Sequence, residues 1–186
     1  ATLNTELNTT YLNSLDSTAQ NMIGDTKYYL GGYSYSNIQK DVMYQYERKI
    51  NGSRYYNGSN LNNFIGKLGL MYASDYGYAV SDECTQTLDG YENDTCKNNN
   101  WLFIGIEWLL PQVASTSNEA FNLSSVGNVN YNTVSSNFLI VARPVLYLIS
   151  SVQITGGDGT SSNPYTLGLW SFFPAGWNPA GSLKNC

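Results

Sequence analysis

The sequence predicts a single domain of the α+β class, with a helix early in the chain and mostly antiparallel strands in the C-terminal half. Its 186 residues suffice for one domain with a sizeable core. Hydrophobic residues make up 42% of the chain, enough apolar surface to offset the entropy of folding. Apolar residues recur at helical spacing near the N-terminus and in strand-like runs later. We expect one domain over residues 1–168 and an aromatic tail at 169–186 that packs on the domain or on a neighbour.

An amphipathic helix is predicted at the N-terminus. Because its many Thr and Asn residues are poor helix formers, packing of the apolar stripe has to stabilise it. Gly24 supplies a stop signal. The stripe consists of Leu3, Leu7, Tyr11, Leu12, Leu15, Ala19, Met22 and Ile23.

The middle of the chain predicts short elements. A strand is expected at 28–30, before two glycines. The stretch 37–49 fits both a helix and a strand, and we favour a short helix that runs into a strand. A strand at 64–72 and a second short helix at 76–80, capped by Ser74-Asp75, follow.

The second half predicts strands, with a glycine-rich hairpin turn at 156–159. Its two apolar runs, 101–111 and 138–152, are interrupted by charged residues and proline. Both are shorter than the roughly 18 to 20 apolar residues of a membrane-spanning helix, so we interpret them as buried strands. The predicted strands lie at about 101–110, 119–123, 126–131, 138–142 and 145–154.

Composition excludes several classes of function. The chain has 9 Lys and Arg against 14 Asp and Glu, a net charge of -5, which disfavours a nucleic-acid partner. Charged residues are only 12% of the chain, and neutral polar residues replace them, as is typical of an extracellular or cell-surface protein. The chain has no histidine, which excludes His-activated nucleophiles and His-ligated zinc. We predict a protein that is not an enzyme and needs no cofactor or metal.

Two of the three cysteines predict a disulfide. Cys84 and Cys96 flank a short polar segment, and closing it would stabilise the fold by about 3 kcal/mol. Their spacing matches neither a CxxC redox motif nor zinc knuckles. Cys186 remains, either as a free thiol or bonded to another chain.

Acidic residues in and beside this loop could bind Ca²⁺ without histidine. Their spacing is not that of an EF-hand, so we expect a solvated loop. These residues are Asp82, Glu83, Asp89, Glu92 and Asp94.

Five segments together resemble a domain of Gram-positive bacterial surface and pilin-like proteins. In chain order they are LNTELNTTYLNSLDSTAQNMI, KYYLGGY, GKLGLMYASDYGYA, NNNWLF and ARPVLYLISSVQITGGDGTSSNPYTL. The domain is similar in pattern to the C-type-lectin-like fold, which formylglycine-generating-enzyme relatives and the variable proteins of diversity-generating retroelements also use. The resemblance implies that fold here. The cysteines do not match the late catalytic positions of the formylglycine-generating enzymes, and lectin calcium motifs do not occur.

The resemblance also implies a variable surface built from the loops before the last strands, between residues 98 and 140. The stretch 111–137 concentrates Asn, Ser and Tyr, which are common in recognition surfaces, although an ordinary polar sheet edge has the same composition. The loop at 51–63 is the next candidate. The predicted ligand-binding residues, with the aromatics as exposed anchors, are Asn118, Phe121, Asn128, Asn130, Tyr131, Asn132 and Asn137.

The functional prediction is an exported ligand-binding or surface-display domain for an extracellular protein or glycan. The alternative is a pilin-like or filament subunit with a trimmed N-terminal anchor, which self-associates through Cys186 and the aromatic tail. We expect no membrane span in this chain. Arg143 is predicted to be a structural cation, satisfied by carbonyls or by an acid such as Glu107 or Asp75.

Overall fold

The structure, a computed structural model, describes residues 2–48, 63–135 and 139–170 and confirms the α+β class. Its helical elements are α1 (Thr2–Glu6), a π-helical segment (Leu7–Tyr11), α2 (Leu12–Ser14), α3 (Ser17–Met22), α4 (Lys40–Glu47), α5 (Ala73–Tyr78), a 3-10 turn (Leu88–Gly90) and α6 (Asp94–Lys97). Its strands are β1 (Thr26–Tyr29), β2 (Gly32–Tyr33), β3 (Asn63–Gly66), β4 (Leu68–Gly69), β5 (Glu107–Val113), β6 (Glu119–Leu123), β7 (Val129–Thr133), β8 (Val145–Leu146), β9 (Val152–Gly156) and β10 (Thr166–Leu169).

A four-stranded sheet with the order β2-β5-β6-β7 organises the domain. β2 runs parallel to β5, and the other neighbours are antiparallel. Three two-stranded sheets, β1-β3, β4-β8 and β9-β10, surround it. The side chains of strand β5 point alternately toward two hydrophobic cores. Leu109 and Val113 belong to the larger core. Trp108 and Leu110 pack against the smaller core, which contains Leu7.

The predicted N-terminal helix is broken in two. Leu15 is extended (ψ 152°), and Asp16 starts α3 by accepting a hydrogen bond from the backbone N–H of Ala19 at 2.9 Å. An Asp at the N-cap stabilises a new helix start, which explains the break. The apolar stripe still packs as expected at Leu7 and Ile23, which are buried in the smaller core.

The elements in the middle of the chain begin or end at residues other than those predicted. The ambiguous stretch forms α4, and its continuation beyond residue 48 lies outside the described residues. The predicted strand at 64–72 is two short strands separated by Lys67, whose Nζ donates to the carbonyls of Gln20 and Ile23. Helix α5 begins at Ala73 rather than 76, because Ser74 bonds to Glu47 and leaves the N-cap to Tyr72.

The late strands are also shorter than predicted. Residues 101–106 are not a strand, because Asn100 bonds locally to the backbone N–H of Leu102 (3.1 Å) and to the carbonyl of Tyr76 (2.8 Å). The prediction at 119–123 matches β6, and 126–131 is shifted to β7. Of 138–142, Val141 forms an isolated bridge to Glu107, and position 138 lies outside the described residues. The predicted strand at 145–154 is split into β8 and β9.

Two predicted cross-links are confirmed. Cys84 and Cys96 form a disulfide with a Cα–Cα distance of 4.8 Å. Arg143 forms a two-pronged ion pair with the buried carboxylate of Glu107, through Nε at 2.8 Å and Nη2 at 2.6 Å. The same Nη2 donates to the carbonyl of Leu102 at 2.9 Å. This group joins β5 to the chain that enters β8.

No helix among the described residues has both the length and the apolar character needed to cross a membrane. The C-terminal tail from 171 onwards, with Cys186, lies outside the described residues, as does Asn137. The predicted hairpin turn is present between β9 and β10, where Gly157 (φ 82°) and Gly159 (φ 83°) adopt the left-handed conformation.

Candidate functional site

Two tyrosines in contact form the centre of the candidate site. Tyr131 lies on β7 and Tyr35 in the loop between β2 and α4, with ring centroids 4.3 Å apart and an interplanar angle of 64°. Both rings are half-buried and pack against the larger core. Edge-to-face pairs of this kind are stabilising beyond their buried area, so the core supports a pair of aromatic rings at the surface.

The loop closed by the disulfide holds Tyr35 in position. Asp89 accepts hydrogen bonds from the backbone N–H groups of Asn37 (2.9 Å) and Ile38 (3.1 Å), and Leu88 N–H donates to the Ile38 carbonyl at 2.8 Å. Asn37 has a φ of 52°, a left-handed conformation that Asn tolerates better than most residues. The loop after β2 is therefore clamped to the disulfide loop.

The clamp also sets the charge of Asp89. Burial opposes its ionisation, but hydrogen bonds from Thr87 and from the backbone of Ile38 and Asn37 outweigh that effect and lower the pKa of Asp89 below its ordinary value. The carboxylate is thus charged at neutral pH and fully engaged by these donors.

The turn between β6 and β7 joins the same cluster through Asn128. Its side-chain amide donates to the carbonyl of Asp89 at 3.2 Å and to Glu92 Oε2 at 3.5 Å, and its Oδ1 accepts from the hydroxyl of Ser124. Three segments distant in sequence, the loop after β2, the disulfide loop and the β6-β7 turn, therefore meet at the tyrosine pair. We call the surface formed by Tyr35, Tyr131, Asn128 and Glu92 the tyrosine surface.

The chemistry of the tyrosine surface suits recognition. Burial raises the pKa of Tyr35, and the neighbouring Asp89, Tyr131 and Glu92 raise it further, so the phenol stays neutral. Exposed Glu92 supplies a carboxylate beside two aromatic rings. Rings and carboxylates together can hold the apolar face of a sugar, or a cationic side chain. Among the described residues, no group of three or more Cys, Asp or Glu side chains is arranged to hold a metal ion.

The prediction is wrong for one of the binding residues. Phe121 is completely buried in the larger core, opposite Tyr131 in the strand register, so the expectation that it is an exposed anchor is wrong. Side chains alternate along a strand, and Phe121 lies on the same inward face as buried Leu123. Its surroundings are those of a core residue.

The structure places the predicted asparagines in different environments. By the same alternation Asn130 and Asn132 lie on the sheet face opposite Tyr131, where Asn132 donates to Asn122 Oδ1 at 3.0 Å. Asn118 is an exposed loop residue. Only Asn128 joins Tyr131 at the tyrosine surface, while Asn137 and residues 51–62 lie outside the described residues.

Sequence reasoning missed Tyr35, and it considered Asp89 and Glu92 only as cation ligands. No local pattern marks these residues as partners, since 96 positions separate Tyr35 from Tyr131 in the chain. The alternation Tyr33-Ser34-Tyr35 after the glycines was the one available sign of an aromatic-rich loop.

A second polar cluster surrounds Glu47, which is completely buried at the end of α4. Its carboxylate accepts from Ser74 N–H at 3.3 Å and pairs with Arg48, which also bonds to Asp75 at 2.7 Å and lies 3.9 Å from the centre of the Tyr72 ring. Burial raises the pKa of Glu47 to about 7, against the opposing effects of Ser74 and Arg48. Glu47 and Ser74 are completely buried, whereas Arg48 and Asp75 at the rim of the cluster are partly exposed.

Comparison with known proteins does not identify either cluster. Comparison of the chain with family models, with curated proteins and with solved structures finds no match.

Proposed function

We propose that this chain is an exported, non-enzymatic ligand-binding or surface-display domain whose recognition surface is the tyrosine surface. The observation that carries the proposal is the contact between Tyr35 and Tyr131 at the junction of three tethered segments. Tyrosine provides a large contact area at a low cost in side-chain entropy, and anchoring from below lowers that cost further. The ligand is an extracellular protein or glycan.

The finer structural assignment belongs to the same proposal. A C-type-lectin-like fold and membership of the surface and pilin-like proteins rest on the five ordered segments and are compatible with the α+β class. The Cys84–Cys96 disulfide and the neutral polar composition support an oxidising, extracellular location.

The second candidate, a filament or pilin-like subunit, is favoured by a different observation. An apolar groove lies between the N-terminal helices and β8, and the neighbouring β9-β10 hairpin exposes Ile154 and Leu169. Extended apolar surface on an exported domain is typical of a contact with another chain.

The test of the first candidate is a glycan array and an extracellular-protein array probed with three variants. We expect Tyr35→Ala and Tyr131→Ala each to weaken binding about tenfold or more, because each removes an aromatic anchor. The matched control is Tyr165→Ala, since Tyr165 is exposed and lies in the connection between β9 and β10 rather than at the tyrosine surface. Equal binding by wild type and both site variants contradicts the proposal, as does the absence of any bound probe.

A further inference from the structure

The tyrosine surface combines two aromatic rings with a carboxylate that no cation of the described chain neutralises. Glu92 is exposed, and its Oε2 accepts a hydrogen bond from the side-chain amide of Asn128 at 3.5 Å. No ion pair among the described residues includes Glu92. The surface therefore presents an unbalanced negative charge beside the rings of Tyr35 and Tyr131.

A second negative charge acts on the same rings. Burial raises the pKa of Tyr35, and the charges of Asp89 and Glu92 are among the causes that raise it further. Both carboxylates are thus close enough to influence the Tyr35 hydroxyl. Lys97 follows the disulfide loop, but its Nζ lies over the Phe103 ring, 5.5 Å from the ring centre. A negative environment around aromatic rings favours a positively charged ligand.

The same combination of groups holds a cation elsewhere in the molecule. The guanidinium of Arg48 lies over two tyrosine rings, 4.5 Å from the centre of Tyr44 and 3.9 Å from the centre of Tyr72. Its Nη2 donates to the carboxylate of Asp75 at 2.7 Å, and its Nη1 donates to Glu47. Tyrosine rings and carboxylates therefore form a binding site for a guanidinium within this protein. The tyrosine surface presents the same two kinds of group toward solvent.

We propose that the tyrosine surface binds an arginine side chain of an extracellular protein partner. This binding mode rests on the proposed function of the tyrosine surface, because it names the ligand of that same surface. A guanidinium stacks on an aromatic ring and forms two parallel hydrogen bonds with a carboxylate. The tyrosine pair and exposed Glu92 supply both groups. A lysine side chain has no planar group to stack, and an uncharged sugar does not neutralise the carboxylate.

Of the two acids, Glu92 is the one available to a ligand. The carboxylate of Asp89 accepts hydrogen bonds from the backbone N–H groups of Asn37 and Ile38, at 2.9 and 3.1 Å. Glu92 is exposed, and its one hydrogen-bond donor among the described residues is Asn128. An exposed carboxylate of this kind has the free lone pairs to accept both hydrogen bonds of a guanidinium. Glu92 is therefore the residue whose replacement separates an arginine ligand from other ligands of the same rings.

The test measures binding of the full chain to two immobilised synthetic peptides, one that repeats Gly-Ser-Arg and one that repeats Gly-Ser-Lys, by biolayer interferometry. Wild type should bind the arginine peptide about threefold or more tightly, because the peptides carry equal charge and only the guanidinium stacks. Glu92→Gln should weaken this binding about fivefold or more, while its amide oxygen still accepts from Asn128. The matched control, Glu6→Gln, removes the same charge from an exposed position of α1 and should bind as wild type does.

Several outcomes overturn the arginine ligand. Equal binding of the two peptides, or an equal loss in Glu6→Gln and Glu92→Gln, means attraction to the net negative charge of the chain alone. Absence of binding to the arginine peptide, or an unchanged affinity in Glu92→Gln, also overturns it. The arrays keep this failure distinct from failure of the proposed function, because Tyr35→Ala and Tyr131→Ala test the rings and leave Glu92 in place. If both tyrosine variants lose array binding and Glu92→Gln keeps it, the recognition surface stands and the arginine ligand is wrong.

Discussion

The tyrosine surface and the β9-β10 hairpin both include strands from the second half of the chain, yet different interactions hold them. At the tyrosine surface a disulfide, the clamp of Asp89 and the amide of Asn128 join three segments above a large core. The hairpin has two strands, a glycine-rich turn and an apolar face that is largely exposed. The tyrosine surface is preorganised, as binding sites are. The hairpin leaves an apolar face exposed, as is typical of a surface that contacts another segment or chain.

The ion pair of Arg143 and Glu107 joins β5 of the four-stranded sheet to the chain that enters β8, and breaking it should have the largest effect. Arg143→Met leaves the carboxylate of Glu107 buried without a partner, which we expect to cost about 3 to 5 kcal/mol in the free energy of unfolding. Urea unfolding followed by tyrosine and tryptophan fluorescence measures it.

The control for this variant is Lys27→Met, which removes a cation from an exposed position of β1. Its stability should change by no more than about 0.5 kcal/mol. A similar small loss in Arg143→Met would show that the ion pair does not hold the chain that enters β8 against β5.

Removing the disulfide should affect one region only. The double variant Cys84→Ser, Cys96→Ser should lose about 3 kcal/mol, because the unfolded chain is no longer constrained. Hydrogen exchange should accelerate at the backbone amides of Asn37 and Ile38, whose N–H groups donate to Asp89. Exchange at Leu167 in the hairpin should stay unchanged once the overall loss of stability is subtracted. Equal acceleration in both regions would contradict the distinction drawn between them.

The smallest expected effect is a pH dependence that originates at Glu47, at the end of α4 and outside both regions. The pKa of Glu47 is raised to about 7 in the folded protein. At pH values between the pKa of Glu47 in the unfolded chain and its pKa in the folded protein, the folded state therefore binds more protons than the unfolded state. Stability should therefore fall as the pH rises from about 4.5 to 7, by on the order of 2 kcal/mol.

Thermal unfolding in a series of buffers measures this slope in wild type and in Glu47→Gln, which should make it smaller. Part of the slope should remain, because burial also raises the pKa of Glu107. Glu6→Gln, at an exposed position, is the control and should keep the wild-type slope. Equal slopes in wild type and in Glu47→Gln would show that the pKa of Glu47 is not raised in the folded protein.

Local patterns predicted the features that depend on neighbours in the chain. The α+β class, the strand at 119–123 and the glycine turn at 156–159 follow from residue period and backbone preference. The Cys84–Cys96 bond follows from the short loop it closes, and Glu107 was one of the two acids predicted as partners of Arg143.

Only the tertiary structure decided which residues meet. The burial of Phe121 and the pairing of Tyr35 with Tyr131 depend on strand register and on contacts between distant segments. A shift of register by one residue would exchange the faces of Phe121 and Asn122 without altering their composition or spacing. Composition could therefore indicate a surface rich in Asn and Tyr, whereas the identity of the residues that share one face is a property of the folded chain.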